Sequence, residues 1–126
     1  MVGEIHNTLR NKVLEFAKHT YGTIPDYPWM GTPENAVLRH SDNRKWYALI
    51  MTISKKTLNL PGEGQMDVMN VKSDPELVSI LRGKNGYYPA YHMNKEKWIT
   101  VALDGTVSLE EIMNLLSLSY ELTKES

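Results

Sequence analysis

The chain has 126 residues, a hydrophobic share of 41%, a charged share of 23% and no cysteine. That length suits one domain, 1–126, able to bury a core without staples, and the missing cysteine excludes disulfides, thiolate zinc sites and a cysteine nucleophile. The formal charge of −1 excludes a uniformly basic nucleic-acid binder, yet residues 39–97 carry a local +4 and residues 98–126 a local −4. One basic side of a near-neutral molecule still steers phosphate toward it. The start, Met1-Val2-Gly3-Glu4-Ile5-His6, lacks the basic and apolar blocks of a signal peptide. No stretch approaches the roughly 20 apolar residues that span a bilayer. The expectation is a cytoplasmic protein without a membrane partner.

In chain order, Val2, Ile5, Leu9, Val13 and Phe16 recur at helical steps, and Gly22 stops that helix. Pro25, Pro28 and Pro33 then exclude helix, and Tyr27 and Trp29 are expected to pack this loop onto the core. A hairpin follows, 36–40 and 45–53 around Ser41-Asp42-Asn43-Arg44, whose second strand is apolar on both faces and so belongs inside the sheet. Residues 54–65 read as a glycine-rich loop and 66–72 as a strand. Ser73-Asp74-Pro75-Glu76 reads as a capping box opening a short helix to about Arg82, with Leu77, Ile80 and Leu81 inward. A strand from Trp98 to Leu103 ends at Asp104-Gly105. Ser108 and Glu111 make a second capping box, stapled by Val107 and Ile112, for a last helix burying Ile112, Leu115, Leu116 and Leu122, with Ser119 on the same face. The order predicts an α+β domain, an antiparallel sheet with helices packed on one face.

The densest segment is Tyr87-Tyr88-Pro89-Ala90-Tyr91-His92-Met93-Asn94-Lys95-Glu96-Lys97-Trp98-Ile99. His92 is the natural candidate for a general base. No Gly-x-Ser-x-Gly elbow accompanies it and no carboxylate pair is marked out, so a backbone-bonding, turn-fixing role is preferred and no enzyme is expected. His6, His19, His40 and His92 are scattered, which predicts no metal; Gly62-Glu63-Gly64 lacks the lysine and helix of a phosphate loop and reads as a turn. No cofactor is expected.

The run Pro89 to Lys95 with Trp98-Ile99, the junction Val71 to Glu76 and Ser119-Tyr120-Glu121-Leu122 resemble the MmcQ/YjbR family, small bacterial proteins with a CyaY-like (frataxin-like) fold. The resemblance implies DNA binding through hairpin projections. The positions that would serve are Arg44, Lys45, Lys55, Lys56, Lys84, Lys95 and Lys97, touching phosphates without reading sequence. The acidic iron-binding first helix of frataxins is not matched: Glu4 and Glu15 face Arg10, Lys12 and Lys18. The alternative is a small-ligand or protein-binding module with a pocket around Tyr88, Tyr91, His92 and Trp98, in a signature that also holds Pro89 and Asn94.

Overall fold

In the computed structural model the described residues are 8–90 and 93–124. Helix α1 (Leu9–Tyr21) leads to β1 (Ala36–Arg39) and β2 (Trp46–Ser54), then a 3₁₀ turn (Lys55–Leu58), β3 (Gln65–Lys72), α2 (Pro75–Leu81), β4 (Tyr87–Pro89), β5 (Trp98–Ala102) and α3 (Leu109–Thr123). The five strands form one sheet in the order β1-β2-β3-β5-β4, and every neighbouring pair is antiparallel. This is the α+β architecture expected.

The helices cover one face. Val13 and Ala17 of α1, Val78 and Leu81 of α2, and Ile112, Leu115 and Leu116 of α3 share one cluster with Ala36, Leu38, Ile50, Met69, Val71, Ile99 and Val101 of the sheet. Tyr47 and Ala48 both join this cluster because the register slips between Leu38 and Arg39. An extra residue in one strand turns successive side chains to the same side. The opposite face carries Val37, Leu49, Met51, Ile53, Met66, Val68 and Ala102, with Trp46, Leu58, Leu60, Tyr88 and Met93 packed on them. Loops alone roof this second cluster, and we call it the open face.

Local chemistry sets the helix ends. Thr8 and Ser108 accept hydrogen bonds from Asn11 N and Glu111 N, satisfying donors that the first turn leaves free. The expected pairs Val2 and Ile5 lie outside the described residues. The cap of α2 is Asp74, accepting from Leu77 N at 3.1 Å, rather than Ser73. Starting one residue later turns Val78 and Leu81 inward and leaves Ile80 59% exposed, correcting its assignment to the core. Leu122 is likewise 47% exposed, and Thr123 takes the buried position. Tyr27 also stands half in solvent instead of packing its loop. Glu111 does not complete its capping box: its carboxylate accepts the Tyr87 hydroxyl, which ties α3 to the short strand β4. That strand was not expected. Pro89 sits in it without a donor, as an edge strand tolerates. Gly86, at φ 91, precedes it, and a Cβ there would lie 2.7 Å from Val107 Cγ2. Only glycine lets the chain pass so close.

Candidate binding clefts

A straight row crosses the open face: Val37 opposite Leu49, Leu49 opposite Asn70, Asn70 opposite Thr100, Thr100 opposite Tyr88. Asn70 and Thr100 are fully buried, and the Thr100 hydroxyl donates to Asn70 Oδ1 at 2.5 Å. At the β1–β2 end of this row lies a cleft of about 480 Å³. Trp29, Trp46, Leu49, Met51, Ile53 and Met93 supply its apolar walls, and Thr32, Asn35, Thr52, Ser54 and Thr57 its polar groups. Trp29 and Trp46 meet edge to face, with centroids 5.9 Å apart at 79°. Behind Trp46 stands Arg39, its guanidinium carbon 5.6 Å from the ring centroid. Arg39 Nη2 in turn holds Asp26 Oδ2 at 3.0 Å. Asp26 exchanges backbone hydrogen bonds with Val37 at 3.0 and 2.8 Å, so the loop carrying Trp29 is tied to the sheet edge.

No ionisable side chain is among the described residues lining this cleft. The perturbed groups lie elsewhere, His40, Tyr47 and Tyr87 on the helix side of the sheet and Asp104 in the turn after β5. Burial lowers the pKa of His40, against the pull of Asp42 and the Tyr120 carbonyl, which raise it. Its Nε2 lies 2.7 Å from Thr123 Oγ1. The Thr123 hydroxyl also lies 2.8 Å from Ser119 O, so Thr123 ties the ring to the backbone of α3. Burial pushes Tyr47 up to about 12, against its hydrogen bond with Thr23. Burial and the Glu111 carboxylate hold the Tyr87 phenol well above its ordinary value. Burial pushes Asp104 up, but hydrogen bonds from Thr106 and the charge of Lys55 bring it below the usual range.

The seven expected DNA-contacting residues do not form one stripe. Arg44 and Lys45 lie in the β1–β2 turn, and Lys95 and Lys97 precede β5 at that same end of the sheet, where Lys72 pairs with Trp98. Lys55, Lys56 and Lys84 lie at the other end. The length of β2, about 27 Å at 3.3 Å per residue, separates them. Lys95 does reach across: it borders a cleft of about 210 Å³ with Thr57, Leu58, Asn59, Tyr88 and Pro89. Among the described residues none of the seven is in an ion pair.

Of the expected pocket, Tyr91 and His92 lie outside the described residues. Tyr88 and Trp98 are half-buried on the open face, on different strands and outside the Trp29–Trp46 cleft. Asn94 builds a turn: its Oδ1 accepts Glu96 N at 2.9 Å and its carbonyl accepts Trp98 N at 3.0 Å. The cleft residues Trp29, Trp46, Met51 and Met93 come from three separate stretches of chain, so no local motif announces them.

Among the described residues no helix is long and apolar enough to cross a membrane, and no three His, Cys, Asp or Glu side chains gather as a metal site. The YjbR family profile matches residues 19–122. The chain is 44% identical over 115 residues to the Bacillus subtilis protein YyaQ, covering 91% of this chain and 98% of that one. A crystal structure of a Pseudomonas syringae protein, 49% identical, superimposes with a TM-score of 0.88 over 90% of this chain and 97% of that one. A Deinococcus radiodurans crystal structure, 27% identical, gives 0.69 over 94% and 80%. With the profile spanning all five strands, α2 and nearly all of α3, the chain belongs to the YjbR family.

Proposed function

We propose that this protein is a binding module, not an enzyme, and that its ligand is a small, flat, largely apolar molecule held in the open-face cleft. The observation that carries this reading is the Trp29–Trp46 cleft itself. Its volume lies within the usual span for small-ligand sites, roughly 300–1,000 Å³, and it joins apolar walls to a few hydroxyl and amide groups. The absence of ionisable groups among its described lining residues favours binding over proton transfer. Trp29 is 37% exposed at the mouth, placed to stack on an incoming ring. The test titrates the protein with 8-anilinonaphthalene-1-sulfonate and follows energy transfer from tryptophan. The expected result is saturable one-to-one binding, weakened about tenfold in Trp29→Ala, the scale of a lost aromatic contact. Binding that does not saturate, or that ignores Trp29→Ala, defeats the proposal.

A second reading is weak, sequence-independent DNA binding, favoured by the lack of ion pairs at the seven cations among the described residues. Lys55 and Lys95 line clefts beside Tyr88 on the open face, where phosphates would meet their charge. Anisotropy of labelled duplex and single-stranded oligonucleotides at about 50 and about 200 mM salt separates the readings, because phosphate contacts release counterions and lose affinity with salt. Lys55→Glu with Lys56→Glu is expected to weaken binding to all sequences alike. No binding at the lower salt, or binding indifferent to salt, removes this reading.

A further inference from the structure

A second cleft, of about 410 Å³, opens at the β1 edge beyond the C-terminus of α1. Its lining is mainly polar and includes Thr23, Asp26, Arg39, His40, Ser41 and Arg44. Most of these groups are already satisfied inside the protein. Thr23 bonds the Tyr47 hydroxyl, His40 bonds Thr123, and Gly22 N–H closes α1 onto Ala17 and Lys18 carbonyls. The two arginines are the exceptions. Arg39 spends Nη2 on Asp26, while its Nε is buried without any hydrogen-bond partner. A buried donor left unmatched on a charged group is costly, which marks a place for an acceptor. Arg44 has no ion pair among the described residues, and its backbone is held at φ 63, a conformation uncommon outside glycine. Such positions concentrate where function fixes the side chain. With His40 neutral, the lining charges are Arg39 and Arg44 against Asp26, a net positive cleft. The volume exceeds what a bare inorganic anion fills, and Tyr21, Ile24 and Pro25 provide an apolar flank for an organic body.

We propose that this cleft binds a small organic oxyanion, a carboxylate or a phosphate monoester, anchored between the guanidinium groups of Arg39 and Arg44. The planar fork of arginine suits both head groups. Asp26 stays on Nη2 and keeps Arg39 in place, and the ligand meets the part of its side chain, 25% exposed, that faces the cleft.

The test is calorimetric titration of the whole chain with benzoate and with phenyl phosphate, with sodium chloride holding ionic strength constant. Saturation by one of them identifies the head group and supports the site; saturation by neither overturns it. Arg44→Gly is the informative variant, because glycine is at ease at φ 63 and the turn should fold at least as well. It is expected to weaken binding about tenfold, the loss of one charge-assisted contact. Met93→Ala, which trims a wall of the open-face cleft and touches neither arginine, is expected to leave the affinity unchanged. The reverse pattern, loss with Met93→Ala and retention with Arg44→Gly, would place the anion in the other cleft and overturn the proposal.

Discussion

Buried His40 shows how one side chain sets a condition on the whole fold. Its ring lies 5.2 Å from Tyr47 and 4.3 Å from Tyr120 between centroids, and its Nε2 is hydrogen-bonded with Thr123. The neutral ring suits that site and the charged one does not, so its folded pKa lies below the ordinary 6.5. Between those two values the unfolded chain binds a proton that the folded chain refuses, so stability rises with pH. The contribution is complete above about pH 6.5 and is lost as pH falls toward the folded value. Urea midpoints are therefore expected to drop between about pH 7.5 and about pH 5.5, and the drop to shrink in His40→Gln. Equal drops in both proteins would mean that other groups set the acid dependence. His40 was legible in the sequence only as a stray histidine. Its partner Thr123 is 83 residues away, a distance that spacing cannot bridge.

At the level of elements, caps and periodicity were the readable signals, and they failed where the helix phase was ambiguous by one residue. In α2, moving the cap from Ser73 to Asp74 exchanges Ile80 for Val78 in the core. In α3 the face Ile112, Leu115, Leu116, Ser119 was read correctly, but the next inward position is Thr123 and not the more apolar Leu122. Helical geometry outweighed hydrophobicity there, because Thr123 is needed by His40 and by the Ser119 carbonyl. Ser119 itself does more than leave room for a neighbouring strand. Its hydroxyl donates to Tyr47 O at 2.6 Å and accepts Lys72 N at 2.9 Å, joining α3 to both β2 and β3. Ser119→Ala would strand a carbonyl and an amide in a fully buried place, costing about 2–3 kcal/mol in urea unfolding. A cost below about 0.5 kcal/mol would show that these bonds are readily replaced. The short strand β4 escaped notice because three residues containing Pro89 carry no alternation to read.

Across the whole molecule, the two faces of the sheet are stabilised unequally, and both the reading of the sequence and the expected dynamics follow from that. The helix face was foreseeable because amphipathic helices state which side they bury. The open face was not, because its roof is built from loops whose side chains meet only in three dimensions. Trp29 reaches Trp46 from the proline-rich loop, and Met93 arrives from the segment before β5. Segment 55–64 contributes only Leu58 and Leu60 to the open-face cluster. It is held to the sheet end by Lys55 N donating to Gly64 O at 3.1 Å, and it includes Gly62 and Gly64 at positive φ. Segments with few buried apolar contacts open without global unfolding, whereas central strands exchange only when the core is lost. Amides of β3, flanked by β2 and β5, are therefore expected to exchange at the global unfolding rate. Those of residues 55–64 should exchange orders of magnitude faster. Occupancy of the open-face cleft should then slow exchange at Thr57, which lines it. Hydrogen exchange read by mass spectrometry, with and without the anilinonaphthalene probe, measures both effects. Protection of 55–64 equal to that of β3 in the free protein would show that the roof is as rigid as the core.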